Sequence, residues 1–136
     1  MVRLLVGKKG SGKTKAMIDS INAAKNSEHG DIVFICSGDR HNTDISHSIR
    51  LIDMTEYSVD TYETFLCFIQ GILSQNYDIT HIYIDSLLKI TKNGVEPITD
   101  FINKLSQISE KGGISFTISI SADKSELPEG IYGYIC

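Results

Sequence analysis

The chain has no tryptophan, two prolines and three cysteines in 136 residues. Two prolines leave little room for a proline-rich linker. Cys36, Cys67 and Cys136 are widely spaced and odd in number, and no CxxC pair exists, so neither a zinc ribbon nor a thioredoxin-type site is readable. Cys36 and Cys67 stand inside apolar runs and are expected as buried thiols. No apolar run approaches the roughly 20 residues that cross a bilayer, and MVRLLVGKKG at the start lacks the roughly 7–15 apolar residues of a signal-peptide core. A reduced, cytoplasmic protein with no membrane partner is the expectation. Positive charge is not in excess either. Thirteen Lys+Arg stand against seventeen Asp+Glu, a net charge of −4, which gives no strong nucleic-acid signal. What remains is ordinary: 41% hydrophobic and 22% charged residues exclude wholesale disorder. The length predicts one domain spanning residues 1–136.

Strand-like and helix-like segments alternate along the chain. Val2 to Val6 is a short apolar run closed by Gly7, and Ser11 to Ala24 carries Ala16, Met17, Ile21 and Ala24 at helical spacing. Ile32 to Cys36 reads as a strand buried on both faces, as in a parallel sheet. The polar segment Ser37 to Ser48 is expected as a loop, followed by a short extended stretch near Ile49 to Met54. Tyr62, Phe65, Leu66, Ile69, Ile72 and Leu73 predict an amphipathic helix over about 60–75. His81 to Asp85 is an apolar strand ending in a carboxylate. Ile98 to Ile108 predicts a helix opened by Pro97 and closed by Gly112-Gly113. Ile114 to Ile120 reads as a strand, and Ile131 to Ile135 as a last, shorter one. This alternation argues for an α/β sandwich around a mostly parallel sheet.

One motif carries chemistry. Gly7-Lys8-Lys9-Gly10-Ser11-Gly12-Lys13-Thr14 fits G-x-x-x-x-G-K-[ST] at every required position, between a strand and a helix. Average residue frequencies give on the order of one chance match in a hundred chains of this length. A polyphosphate needs many donors at close range. Glycines let the backbone curl so that successive N–H groups point into one concavity, and the helix that follows adds the positive end of its dipole. Lys13 would reach the β- and γ-phosphates, and Thr14 would offer its hydroxyl to a bridging Mg²⁺. Lys8 and Lys9 either strengthen the local field or are solvated loop lysines. Asp85, at the end of its strand, is the candidate second metal-shell group, against the plainer role of capping a turn.

The glycine loop and the Asp85 strand together resemble the P-loop NTPase superfamily, and the order of elements is most similar to its RecA-like and type II thymidine-kinase-like branch. Ser37-Gly38-Asp39-Arg40 is faintly similar to the Asp-x-Arg turn of type II thymidine kinases. Phe116 to Asp123 resembles the strand that ends beside the γ-phosphate in such folds. The resemblance implies a three-layer α/β sandwich of the P-loop NTPase fold that takes ATP or GTP with Mg²⁺. Its phosphate site would be Gly7 to Thr14, with Lys13 and Asp85 as catalytic residues and Thr14 and Asp85 on the metal. Two departures matter. Type II thymidine kinases have Asp-Glu where this chain has Asp85-Ser86, and their zinc ribbon is not visible here. Asp53, Glu56, Glu63 and Asp123 are the possible substitutes, none with an identifying spacing. Without a group to position the attacking oxygen, slow hydrolysis is the expectation. Two alternatives stay open: a nucleotide-dependent switch or assembly subunit completed by a protein partner or another copy, and a small nucleoside or nucleotide kinase.

Weaker constellations remain. Asp39, His41, Asp44 and His47 lie close together without a standard metal-ligand spacing. Arg40 would suit a γ-phosphate contact or simple solvation. Tyr62, Phe65 and Phe68 are expected in the core, and Tyr57, Tyr132 and Tyr134 are expected to be exposed and able to stack on a base.

Overall fold

The computed structural model describes residues 1–38 and 44–136. Five apolar, β-branched segments form strands: β1 (Val2–Gly7), β2 (Asp31–Cys36), β3 (Arg50–Asp53), β4 (Ile79–Ile84) and β5 (Ser115–Ser121). They make one all-parallel sheet in the order β1-β5-β4-β2-β3. Parallel strands need crossovers, which four helices help to supply: α1 (Lys13–Ala24), α2 (Tyr62–Gln75), α3 (Leu87–Thr91) and α4 (Ile98–Gly112). The path from β1 through α1 to β2 passes over two strands, and the returns through α2 and α4 run in the opposite direction. With right-handed crossovers such a reversal puts α1 on one face and α2 and α4 on the other.

The packing agrees. Met17 and Ile21 of α1 meet Ile32, Phe34 and Cys36 of β2, with Tyr83, Ile45 and Ile49. Phe65 and Ile69 of α2 and Phe101, Ile102 and Leu105 of α4 cover Leu4, Val33, Ile35, Ile82, Ile84, Phe116, Ile118 and Ile120. Alternate residues of each strand thus serve opposite layers. Cys36 in β2 is buried, as its apolar run implied.

Three expectations are corrected. Residues Glu129–Tyr134 form a 3-10 turn rather than a strand, and only Ile135 bridges to Leu4. Pro128, Gly130 and Gly133 disfavour extended pairing there, and the turn is anchored by the fully buried Ile131. Cys67 is exposed although its neighbours are apolar. It lies two residues from both buried Phe65 and buried Ile69, which is the far side of a helix with a 3.6-residue period. Tyr132 and Tyr134 are half-buried, and their hydroxyls donate to the Lys124 carbonyl (3.0 Å) and to Asn103 Oδ1 (3.2 Å). Tyr57 alone of the three is exposed, at 45%. The short helix α3 had no readable periodicity, since five residues span little more than one turn. Among the described residues, no helix is long and apolar enough to cross a membrane.

Candidate functional site

β1 ends at Gly7, which pairs in register with Ser121 at the end of β5, so the glycine loop starts at the carboxyl edge of the sheet. Gly10 and Gly12 have φ of 87° and 86°, a left-handed conformation that side chains rarely adopt, and their residue type allows the curl. Gly12 is the N-cap of α1, and no side chain caps that end. The first turn of α1 contains no acidic residue, so its unpaired N–H groups and positive dipole end remain open to an anion. The Lys13 ammonium folds back, donating to the Lys8 carbonyl at 2.9 Å and to Ser11 Oγ at 3.2 Å.

Thr14, on the first turn of α1, donates its hydroxyl to Asp85, with Oγ1 3.2 Å from Oδ1 and 3.4 Å from Oδ2. These residues are 71 positions apart in sequence. β4 brings Asp85 to the carboxyl edge, where it is only 3% exposed. Its carboxylate also accepts from Ser119 Oγ (2.7 Å) and Ser86 Oγ (3.4 Å). Ser119 belongs to β5, the strand between β1 and β4, so it braces Asp85 from the side. Ser86 adopts a left-handed conformation (φ 61°), and its N–H donates to Ser119 Oγ at 2.7 Å. A non-glycine residue held in that conformation, directly after the buried carboxylate, marks stored backbone strain at the site.

The donor set fits a small hard cation. Mg²⁺ takes oxygen ligands at about 2.0–2.1 Å in octahedral geometry, so neighbouring ligand oxygens lie about 2.9 Å apart. Thr14 Oγ1 and Asp85 Oδ1, a hydroxyl and a carboxylate oxygen, are 3.2 Å apart beside the loop.

A cavity of about 420 Å³ opens over the loop, lined by Gly10, Gly12, Lys13, Thr14, Ser86 and Ser121 together with Lys9, Lys15 and Lys89. A larger one of about 670 Å³ lies along the edge strand β3 and α2, against Ile52, Phe68 and Ile72, away from the glycine loop. Size alone would choose the larger. Charge and convergent donors choose the smaller.

None of the four possible substitute carboxylates, Asp53, Glu56, Glu63 and Asp123, lines the cavity over the loop. Asp53 accepts from Thr55 Oγ1 (2.7 Å), Thr55 N (3.0 Å) and Gly38 N (2.8 Å), bonds that hold its carboxyl below the ordinary range. Asp123 is held down in the same way by its bonds to Ser125 and caps the turn Lys124–Glu126. Both are engaged acceptors and therefore weak bases. Glu56 and Glu63 are exposed and line no part of the cavity over the loop. Asp39, Arg40 and His41 lie outside the described residues. Among those described, no group of three or more His, Cys, Asp or Glu side chains could hold a metal.

Ser86, Ser119, Ser121 and Lys89 were not singled out as site residues from sequence. A signal for Ser119 did exist: Phe116-Thr117-Ile118-Ser119-Ile120 alternates apolar and polar in a strand that is otherwise fully apolar on one side. No family model matches the chain, and no curated protein matches it.

Proposed function

We propose that this chain is a minimal P-loop NTPase that binds ATP or GTP with Mg²⁺ and hydrolyses it slowly. One observation carries the reading: Asp85, braced by Ser119, bonds Thr14 of the glycine loop across 71 positions of sequence. The fold supplies independent support, because ligands of open parallel sheets bind outside the carboxyl ends of strands, and the loop stands at that edge. The loop amides and the open end of α1 would hold the β-phosphate. Lys13 would exchange its bonds to Lys8 and Ser11 for bonds to β- and γ-oxygens, which favours the charge that spreads over the transferred group. Thr14 and Asp85 would hold the metal, which would supply positive charge to neutralise the phosphates. Asp85 is kept in place for this by Ser119 and Ser86.

Slow turnover follows from the chain's own carboxylates. Ser86 stands where a base would follow Asp85, and Asp53 and Asp123 are committed to caps. The same observation favours a second reading, a nucleotide-dependent switch or assembly subunit whose partner, or a second copy, supplies the missing group. Phosphate release from Mg·ATP and Mg·GTP separates the two. Steady release by the chain alone, absent in Lys13→Ala, supports the hydrolase. Tight binding without release supports the switch, and ADP formation only with an added nucleoside would point to a kinase.

A further inference from the structure

The lining of the cavity over the loop contains four lysines and no carboxylate. Three of them, Lys9, Lys13 and Lys15, come from the glycine loop and the start of α1. Lys15 is already paired with Asp19 at 3.3 Å, and Lys13 folds onto the loop. Lys89 differs in origin: it comes from α3, on the Asp85 side of the cavity. Among the described residues no hydrogen bond or ion pair engages its ammonium, and it is exposed.

Its mount is rigid although its head is free. Leu87, Ile90 and Thr91 of α3 are buried, so three of the helix's five residues are fixed in the core. Both ends are held by left-handed non-glycine residues, Ser86 (φ 61°) and Lys92 (φ 56°). The Ser86 N–H is tied to Ser119 Oγ, which in turn donates to Asp85. The strand-end carboxylate and the base of the Lys89 side chain therefore share one framework. Lys89 also borders a neighbouring cavity of about 180 Å³ with Ser37, Thr55, Tyr57 and Lys92, so the residue is shared by the linings of both.

A phosphate chain held at its β-group by the loop amides extends its terminal group away from the loop. Of the lining cations that no hydrogen bond or ion pair engages among the described residues, Lys9 belongs to the loop itself, and Lys89 stands on α3 next to Ser86 and Asp85. We infer that Lys89 contacts the γ-phosphate and makes the site discriminate nucleoside triphosphate from diphosphate, a specificity residue acting from within the same chain. This inference rests on the nucleotide-binding reading above. A charge-assisted hydrogen bond to a terminal phosphate is present in the triphosphate complex and missing in the diphosphate complex, so its loss has a one-sided signature. No bond is made or broken by Lys89: it holds charge and position only.

The test is titration of Mg·ATP and Mg·ADP, and of the GTP pair, into wild type, Lys89→Ala and Lys89→Arg. Lys89→Ala should weaken triphosphate binding about tenfold and leave diphosphate binding within about twofold, the size of one solvent-accessible charge-assisted bond. Lys89→Arg should restore most of the preference. Because the side chain is exposed and unpaired, all three proteins should show the same melting temperature without nucleotide. If wild type binds both nucleotides and Lys89→Ala weakens both equally or neither, the inference falls and the nucleotide reading stands. If wild type binds neither nucleotide, both fall together.

Discussion

The two faces of the sheet are built on different rules. Toward α2 and α4 the strands present Leu4, Val33, Ile35, Ile82, Ile84, Phe116, Ile118 and Ile120, with Arg50 only at the margin, on the edge strand β3. Toward α1 the same strands carry Arg3, His81, Asp85, Thr117 and Ser119 among Leu5, Ile32, Phe34 and Tyr83. Arg3 is exposed and His81 half-buried, but Asp85, Thr117 and Ser119 are buried; buried polar groups cost free energy unless bonded, and these three are bonded. His81 lies 2.8 Å from Thr117 Oγ1 through Nε2 and 3.1 Å from Glu28 through Nδ1, and it stacks on Tyr83 at 4.0 Å. Asp85 is held by Ser119, Ser86 and Thr14. One face therefore provides stability by burial, and the other gives up apolar area to place a carboxylate beside the glycine loop. Among the described residues the polar face is covered by α1 alone of the helices, and that helix begins at the loop.

The largest effect should come from the apolar face. Phe116→Ala removes a fully buried ring between β1 and β4 and should cost about 3–5 kcal/mol in urea-denaturation stability. A loss below about 1 kcal/mol would mean that the two faces do not differ in this way.

An intermediate effect of opposite sign is expected at Asp85. The carboxylate is buried with hydroxyl partners and no cation among the described residues. Asp85→Asn keeps the shape and should leave the free protein as stable or more stable, by about 0.5–2 kcal/mol, while removing stabilisation by Mg·ATP. Thermal melts with and without Mg·ATP read both. Destabilisation of the free protein by more than about 2 kcal/mol would assign Asp85 a structural role instead.

The smallest effect concerns His81. Burial, only partly opposed by the Glu28 bond and charge, holds its pKa below the ordinary 6.5. A lowered histidine pKa means that the unfolded chain binds the proton more readily than the folded one. Stability from neutral His81 is thus complete above about pH 6.5 and declines as pH falls toward the folded-state value. Denaturation midpoints compared from pH 7 to 5 should fall more steeply for wild type than for His81→Gln. Parallel profiles would show that His81 is not the titrating group.

How much of this was legible depended on how local the signal was. The glycine loop is eight contiguous residues whose chemistry is self-contained, and the alternation of strands and helices follows from periodicity in Ile32–Cys36, Tyr62–Leu73 and Ile98–Ile108. Asp85 could be proposed because it ends an apolar run. Its bracing by Ser119, however, depends on β5 lying between β1 and β4, a pairing that no local pattern encodes. The same holds for Lys89, whose relevance comes from a one-turn helix facing the loop. Cys67 and the Ile131–Ile135 segment misled for a related reason: a contiguous apolar run does not reveal which side of a helix faces the core, nor whether glycines will turn it.

Lys13 in the glycine loop is the residue on which nucleotide binding should depend most. Calorimetric titration of Mg·ATP and Mg·GTP into wild type and Lys13→Ala tests it directly. Saturable binding of at least one nucleotide by wild type, weakened at least a hundredfold (about 2.7 kcal/mol) in a mutant that melts normally without nucleotide, is the predicted result. Equal binding by the two proteins, or no binding of either nucleotide by wild type, would contradict it.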